Sequence, residues 1–233
     1  CMAEIEAVLG NGTEADAYQD FADHCRKSYQ ALRRTAAYPL DTDRQAQLVR
    51  PLAFDLLDET QTKYAQKQLL AALEHFHWRL GTGFLSTPLI LSVLTDIDLE
   101  SAYRLLENEE IPGWLSMPKN GATTIWEAWE GPNSKSGGIG SLNHYSKGAV
   151  VAWLFDTMCG IRVDGENHFV IAPHPGGHFT RAKAVYDSVY GRVESGWEKT
   201  PDGWHYTITI PANCTAELRL PEKTPVTLES GTY

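Results

Sequence analysis

The sequence predicts a mainly α plus β protein, with helices up to about residue 160 and a small β domain after it. Through the first part, apolar residues recur at helical spacing, as in the stripe that begins at Tyr18 and ends at Leu32. After Gly160 apolar and polar residues alternate, as they do over 204–210, and a period of two is typical of strands. The order of the two patterns predicts a helical region over 1–160 and a β-sandwich over 161–233.

The first two predicted helices each have a start signal. Thr13, followed by Asp16, resembles an N-cap. Thr42, followed by Gln45, is typical of a capping box. The stripe of the first helix is Tyr18, Phe21, Ala22, Cys25, Tyr29 and Leu32, and that of the second is Ala46, Val49, Leu52, Ala53 and Leu56. Cys25 is predicted to be a small core residue, as is Cys159 further along the chain.

Three more predicted helices and one long apolar segment complete the helical part. Two stripes lie over 65–76 and 99–106. A further helix is predicted to start at Pro88, because proline fits the first turn of a helix. Residues 143–159 are apolar nearly all round, which predicts a buried helix. The connectors over 81–84, 111–122 and 131–140 are rich in glycine, proline and aromatic residues. Long loops between helices predict a layered α/α array that carries its functional residues on the loops.

The strand pattern of the last part is supported by turn signals. Residues 169–173 read as a buried strand that ends at a proline, and Pro201-Asp202-Gly203 is a turn signal before the alternating run over 204–210. Residues 216–220 and 226–228 alternate again. Several short alternating runs separated by turns predict a sandwich.

Composition excludes several classes of function. The chain has 233 residues and a formal charge of −10, and no basic stripe that would bind a nucleic acid. Arg26, Lys27, Arg33 and Arg34 lie on one predicted helix among acidic neighbours and read as a solvated face. No apolar run is long enough to span a membrane. Four dispersed cysteines form no CxxC pair, so we expect neither a zinc site nor a disulfide scaffold. The predicted partners include neither nucleic acid nor membrane.

We expect no metal and no cofactor. His174 and His178 have the spacing of a metal-binding pair, but they flank a Pro-Gly-Gly loop instead of sharing a helix face. The chain opens Cys1-Met2-Ala3-Glu4 with a helical pattern already under way and no signal peptide. This opening predicts a fragment of a longer protein and favours a cytoplasmic location.

Glu127 is the best candidate for a catalytic group. It lies between Trp126 and Trp129, beside a glycine-rich loop. Aromatic faces cover the C–H faces of sugars, and glycosidic bonds are typically cut by a pair of carboxyl groups. An alternative is structural: Thr124 and Glu127 have the spacing of a capping box, and both tryptophans could be core.

The segment that precedes the long apolar helix is a second candidate. It reads Ser141-Leu142-Asn143-His144-Tyr145. The start of a helix exposes N–H donors and side chains that can reach a ligand, so His144 could bind a sugar hydroxyl. The alternative is that Asn143 caps the helix and His144 only packs against its surroundings.

Three segments in this order resemble the bacterial and fungal α-L-rhamnosidases. They are 82–88 (TGFLSTP), 121–129 (GATTIWEAW) and 141–145 (SLNHY), the last followed by 148–154 (GAVVAWL). The resemblance extends from about residue 40 to the C-terminus. It implies an inverting glycosidase, with a six-hairpin α/α barrel followed by a C-terminal β-sandwich.

The resemblance also implies roles for single residues. The glutamate of the Trp-Glu motif, here Glu127, is the general base of that family, and the histidine of the Asn-His-Tyr motif, here His144, contacts rhamnose. Trp129 is carried over as a residue that lines the pocket. Rhamnose-containing glycosides are the implied substrates.

The sequence departs from the family pattern. It lacks the upstream acidic Asp-Gly segment that carries the general acid, and about half of the barrel helices. Ala128 and Glu130 replace an arginine and an aspartate, and Lys147-Gly148 replaces an apolar-glycine pair. These departures predict that a longer parent completes the site, or that the chain is a non-catalytic remnant that binds sugars or a partner. Half a barrel would leave apolar helix faces uncovered, which predicts association with another copy or with the missing N-terminal part.

Overall fold

A computed structural model describes residues 1–32, 39–133 and 140–233, and its secondary structure changes from helices to strands between Met158 and Ile161. The change lies where the sequence patterns place it. The chain forms two compact units, Cys1–Val93 and Leu94–Tyr233.

The first unit contains two pairs of helices. Helix α1 (Met2–Val8) packs against α2 (Gly12–Ala31), and α3 (Gln45–Ala53) packs against α4 (Glu59–His75). Each pair is consecutive in sequence, as expected for helical hairpins.

The helix starts differ from the predicted ones. Asn11 is the N-cap of α2, so Thr13 already lies inside the helix. Arg44 is the N-cap of α3, and the Thr42 hydroxyl accepts a hydrogen bond from the Arg44 amide instead of capping. The capping box of this unit belongs to α4, where the Asp58 carboxylate accepts from the Gln61 amide at 2.9 Å and the Gln61 side chain accepts in return.

The apolar stripe of α2 is not buried. None of the residues of this helix is buried, Phe21 is 66% exposed, and Cys25 is exposed, so the prediction of a core Cys25 is wrong. Four residues of the stripe, Tyr18, Phe21, Ala22 and Cys25, stay exposed. On the polar side, Arg26 pairs with Asp23 at 2.9 Å, as a solvated face would; Arg33 and Arg34 lie outside the described residues.

A buried glutamine shapes the loop that follows α4. The Gln45 side chain is 1% exposed; its Nε2 donates to the Arg79 carbonyl at 2.8 Å, and its Oε1 accepts from the Gly81 amide at 2.7 Å. Two loop residues, Thr82 and Thr87, join through their hydroxyls at 2.9 Å. These bonds satisfy polar groups that burial would otherwise leave unpaired.

Short helices bring the chain into the second unit. They are α5 (Ile90–Ile97), which crosses the boundary between the units, α6 (Leu99–Leu106), α7 (Ser116–Lys119), α8 (Tyr145–Gly148) and α9 (Val150–Trp153), followed by a π-helical turn (Leu154–Met158). The predicted single helix over 143–159 is therefore three pieces. The helix predicted to start at Pro88 begins at Ile90.

Eight strands form two four-stranded sheets. The first has the order β1-β2-β6-β7, with β2 and β6 parallel, and the second, β3-β4-β5-β8, is antiparallel throughout. Their bounds are Ile161–Val163 (β1), His168–Ile171 (β2), Arg181–Ser188 (β3), Gly191–Thr200 (β4), Gly203–Ile210 (β5), Thr215–Leu218 (β6), Val226–Leu228 (β7) and Gly231–Thr232 (β8). The turn predicted at 201–203 joins β4 to β5.

Side chains bind the strands of the second unit to its helices. Trp197 on β4 donates from Nε1 to the Met158 carbonyl at 2.8 Å, and the buried Ser195 hydroxyl donates to the Cys159 carbonyl at 2.6 Å. Tyr103 on α6 donates to the His174 carbonyl at 2.5 Å and packs edge-on against Trp153. Cys159 itself is buried, as predicted.

Candidate active site

Two loop segments of the second unit, 124–130 and 141–144, are hydrogen-bonded to each other. The Glu127 amide donates to the Ser141 carbonyl at 2.8 Å, and the His144 amide donates to the Ile125 carbonyl at 2.7 Å. The Thr124 hydroxyl also donates to the Leu142 carbonyl. Through these bonds the structure joins the segment that carries Glu127 to the segment that carries His144.

The Glu127 side chain is exposed and is oriented by the second segment. Its Oε2 accepts a hydrogen bond from the Ser141 amide at 2.8 Å. Gly140 lies close by with φ +63°, and a Cβ added there would be 3.3 Å from the same oxygen. The absence of a side chain at Gly140 thus leaves room for the carboxylate.

The capping-box interpretation of Glu127 is wrong. Among the described residues, no helix begins at Thr124; residues 121–130 form turns and bends, and the Thr124 hydroxyl binds Leu142 instead. The Glu127 carboxylate has its amide partner on another segment, at Ser141. The bond from the Ser141 amide therefore positions the Glu127 carboxylate and does not cap a helix.

The two tryptophans beside Glu127 differ in their surroundings. Trp126 is 7% exposed, and a Cβ added at Gly131 would come within 2.1 Å of its ring. Trp126 is therefore a core residue, as the structural alternative had it. Trp129 is half-buried, and its ring packs edge-on against Trp114 with 6.5 Å between centroids.

Lys147 on α8 contacts Trp129, Trp114 and the backbone of Glu127. Its Nζ lies 3.8 Å from the centroid of the Trp129 ring and donates to the Glu127 carbonyl, and its own carbonyl accepts from Trp114 Nε1 at 3.0 Å. Burial lowers the pKa of Lys147 to about 8, and the charges of Glu127 and Glu130 oppose this lowering. Sequence reasoning noted Lys147 as a departure from the family pattern but gave it no role in the site.

His144 is the residue that precedes α8, in extended backbone conformation with φ −101° and ψ 111°. It occupies the N-cap position that sequence reasoning offered to Asn143, and its side chain makes no capping bond. The imidazole is half-buried and stacks on the Tyr145 ring at 5.7 Å, with 9° between the planes. The sugar-binding roles of His144 and Trp129 remain predictions.

The histidines after the helical part lie elsewhere. His178 Nδ1 is 2.7 Å from a Glu107 carboxylate oxygen, and this hydrogen bond raises the pKa of the imidazole. Burial lowers the pKa of His174. In the described ranges no group of three or more histidine, cysteine or acidic side chains could hold a metal ion, and no helix there is both long and apolar enough to cross a membrane.

The helical part and the two-sheet β part each match a domain of known proteins. Residues 1–158 match the bacterial alpha-L-rhamnosidase 6 hairpin glycosidase domain, and residues 162–233 match the bacterial alpha-L-rhamnosidase C-terminal domain. An alpha-L-rhamnosidase of Streptomyces avermitilis is 34% identical over 221 residues, which are 92% of this chain and 22% of that protein. The chain belongs to the bacterial α-L-rhamnosidase family.

Solved structures show the same fold. The α-L-rhamnosidase of Streptomyces avermitilis complexed with L-rhamnose superimposes with a TM-score of 0.86 and 31% identity, over 99% of this chain and 25% of that one. The Aspergillus terreus enzyme gives a TM-score of 0.89 and 28% identity, over 99% of this chain and 28% of that one. The chain thus spans about a quarter of the length of its relatives.

Proposed function

We propose that this chain supplies the general base of an inverting α-L-rhamnosidase site, and that this base is Glu127. The observation that supports this proposal is the exposed Glu127 carboxylate, oriented by the Ser141 amide at 2.8 Å on a loop joined to the segment of His144. An oriented carboxylate with an exposed side can accept a proton from water.

The reaction divides between two carboxyl groups. Glu127 removes a proton from water, which attacks the anomeric carbon of a terminal α-L-rhamnosyl residue from the face opposite the leaving oxygen. A carboxylic acid from an upstream segment of a longer parent protonates that oxygen, and the two carboxyl groups stand about 6.5–9.5 Å apart to admit the water. The C–O bond breaks as the new one forms, so the product has inverted configuration.

His144 and Trp129 bind the sugar in this proposal. His144 offers a half-buried imidazole next to α8. Trp129 offers the part of its ring that Trp114 and Lys147 leave uncovered. The substrate class is rhamnose-containing glycosides, because the related proteins are α-L-rhamnosidases and one of them was solved with L-rhamnose.

In this proposal the chain is a piece of a longer enzyme. Residues 1–160 are the C-terminal part of an α/α-barrel catalytic domain, and residues 161–233 are its C-terminal β-sandwich domain. The chain spans about a quarter of its relatives, which supports an upstream segment that completes both the barrel and the site.

The second candidate is a non-catalytic remnant that binds sugars or a partner. The missing Asp-Gly acid segment favours it, since the site then lacks one of its two carboxyl groups. Hydrolysis of an aryl α-L-rhamnoside by a longer parent, with release of the inverted anomer, tests the main proposal. A parent that binds rhamnose without cleaving the glycoside would favour the remnant.

Replacement of His144 by alanine in an active parent is expected mainly to raise KM. The imidazole would bind the sugar equally in the ground and transition states, and loss of such binding leaves kcat nearly unchanged. Steady-state kinetics measure the effect, with the exposed His205→Ala on β5 as the control. A large fall in kcat at unchanged KM would show that His144 acts in the transition state instead.

The exposed apolar residues of the α1–α2 pair are expected to make the isolated chain self-associate. The exposed fractions of Ile5, Val8, Leu9 and Phe21 are 46%, 87%, 67% and 66%, and apolar surface left in water favours association. Light scattering should give a mass above that of the monomer, and Val8→Ser with Phe21→Ser should lower it. Val189→Ser, at a 94% exposed residue of the β domain, is the control. A monomer at every concentration would contradict this expectation.

A further inference from the structure

Lys147 is a lysine whose charged end is held inside the candidate site. The residue is only 9% exposed, although lysine side chains usually keep their ammonium groups in water. The ammonium donates to the main-chain carbonyl of Glu127 and lies 3.8 Å from the centroid of the Trp129 ring. One charged group thus binds both the backbone of the candidate base and the aromatic residue two positions after it.

The backbone of Lys147 is also held in place. The Lys147 carbonyl accepts a hydrogen bond from Trp114 Nε1 at 3.0 Å, and Trp114 packs edge-on against Trp129. The three residues form a closed cluster in which each contacts the other two. A cation over the face of tryptophan is attracted by the ring, the more so when it is removed from water.

Folding with this charge inside has a cost at neutral pH. Two acidic residues of the 124–130 loop, Glu127 and Glu130, favour the charged form, but burial outweighs them and lowers the pKa of Lys147 to about 8. The titratable neighbours of Lys147 on and beside α8 are His144 and Tyr145. Trp114, which also contacts Lys147, carries no charge. Between this pKa and the ordinary value of 10.5 the unfolded chain binds one proton more than the folded chain, so stability rises with pH. The buried charge of Lys147 disfavours folding at pH 7, so stability does not account for a lysine at this position.

We propose that Lys147 is a positioning residue, whose ammonium holds the Glu127 loop against α8. This inference rests on the proposed role of Glu127. Its charged form suits both contacts, since a cation is attracted by the Trp129 ring and a charged amine is a stronger donor to the Glu127 carbonyl than a neutral one. A side chain without this group leaves the loop without the contact that aligns the base with its water.

The contact can be measured in the 233-residue chain without any assay of activity. In an NMR titration of ¹⁵N-labelled lysine side chains, one ammonium resonance should titrate near pH 8 and should be missing in Lys147→Met. The indole resonance of Trp129 should shift over the same pH range. Titration of Lys147 at the ordinary value of 10.5, or an unmoved Trp129, would overturn the inference.

The catalytic consequence is measured in an active longer parent. There Lys147→Arg should keep most of kcat, since a guanidinium stays charged and can still donate to the Glu127 carbonyl. Lys147→Met should lower kcat by roughly 10- to 100-fold at all pH values, because small misplacements of a catalytic group are costly. Lys119→Met, at an exposed lysine paired with Glu109, should leave kcat unchanged.

The possible outcomes separate this inference from the proposed function. If Glu127→Gln keeps normal activity, the role of Glu127 fails, while the NMR titration still decides whether Lys147 holds the loop. If Glu127→Gln is inactive but Lys147→Met keeps a normal kcat, the role of Lys147 alone fails. Should Lys147→Arg not fold, Lys147→Met and the titration decide the matter.

Discussion

Glu127→Gln in a longer, active parent is expected to remove most of kcat and to leave the fold intact. Glutamine keeps the shape of the side chain and can still accept from the Ser141 amide, but it cannot take a proton from water. A positioned general base contributes roughly 10²- to 10⁴-fold, and kcat should fall by about that factor. Steady-state hydrolysis of an aryl α-L-rhamnoside measures the loss.

The control for this variant is Glu109→Gln. Glu109 is an exposed carboxylate that pairs with Lys119 at 2.8 Å, so its loss removes one charge without touching the loop pair. We expect near-normal kcat there, and circular dichroism spectra of both variants that match the wild type. A Glu127→Gln enzyme with near-normal kcat would exclude the role of general base.

The 233-residue chain by itself is expected to be inactive, or nearly so, on the same substrate. Its candidate site contains the proposed general base, Glu127, but no general acid. The glycosidic oxygen is a poor leaving group until an acid protonates it. Loss of a positioned acid should lower the rate by roughly 10²- to 10⁴-fold. Assay of the purified chain beside a parent that contains the upstream acid segment measures the difference.

An active chain would contradict this expectation in an informative way. It would mean that a carboxyl group within the 233 residues, or from a second copy, serves as the acid. Addition of the purified upstream part to the chain is a useful companion experiment. Recovery of activity on mixing would show that the two parts complete one site.

Much of the fold could be predicted from local patterns, because each pattern reports a local environment. Alternation over 204–210 predicts β5, since strand faces differ in burial, and Pro201-Asp202-Gly203 predicts the turn before it. Helix starts were harder: Asn11 and Arg44 precede α2 and α3, neither with a capping side chain, so the Thr13 and Thr42 signals misled. The long apolar segment over 143–159 concealed a break into α8, α9 and a π-helical turn.

The stripe of α2 marks a limit of periodicity. A stripe shows which face of a helix can be buried, but it does not show what covers that face. Phe21 and Cys25 follow the helical period and remain exposed in the structure. Periodicity therefore predicts the apolar face of this helix, and not its burial.

The candidate site was only partly accessible from sequence. Glu127 and His144 were singled out by their aromatic neighbours and motifs, but the bond between Glu127 and Ser141 spans 14 residues and depends on how two loops meet. Lys147 carried a usable signal, because a lysine next to an apolar helix segment is unusual. Its partners, Trp114 and Trp129, could not be predicted without the fold.

The most direct test of the central claim is chemical rescue of Glu127→Ala in the active parent by azide. Azide is already a nucleophile and needs no base, so it can replace the activated water in the space that alanine leaves. We predict a kcat lower by roughly 10²-fold or more without azide, a partial recovery with it, and a β-L-rhamnosyl azide product of inverted configuration. Unchanged kcat without azide, or an azide product of retained configuration, would contradict Glu127 as the base of an inverting site.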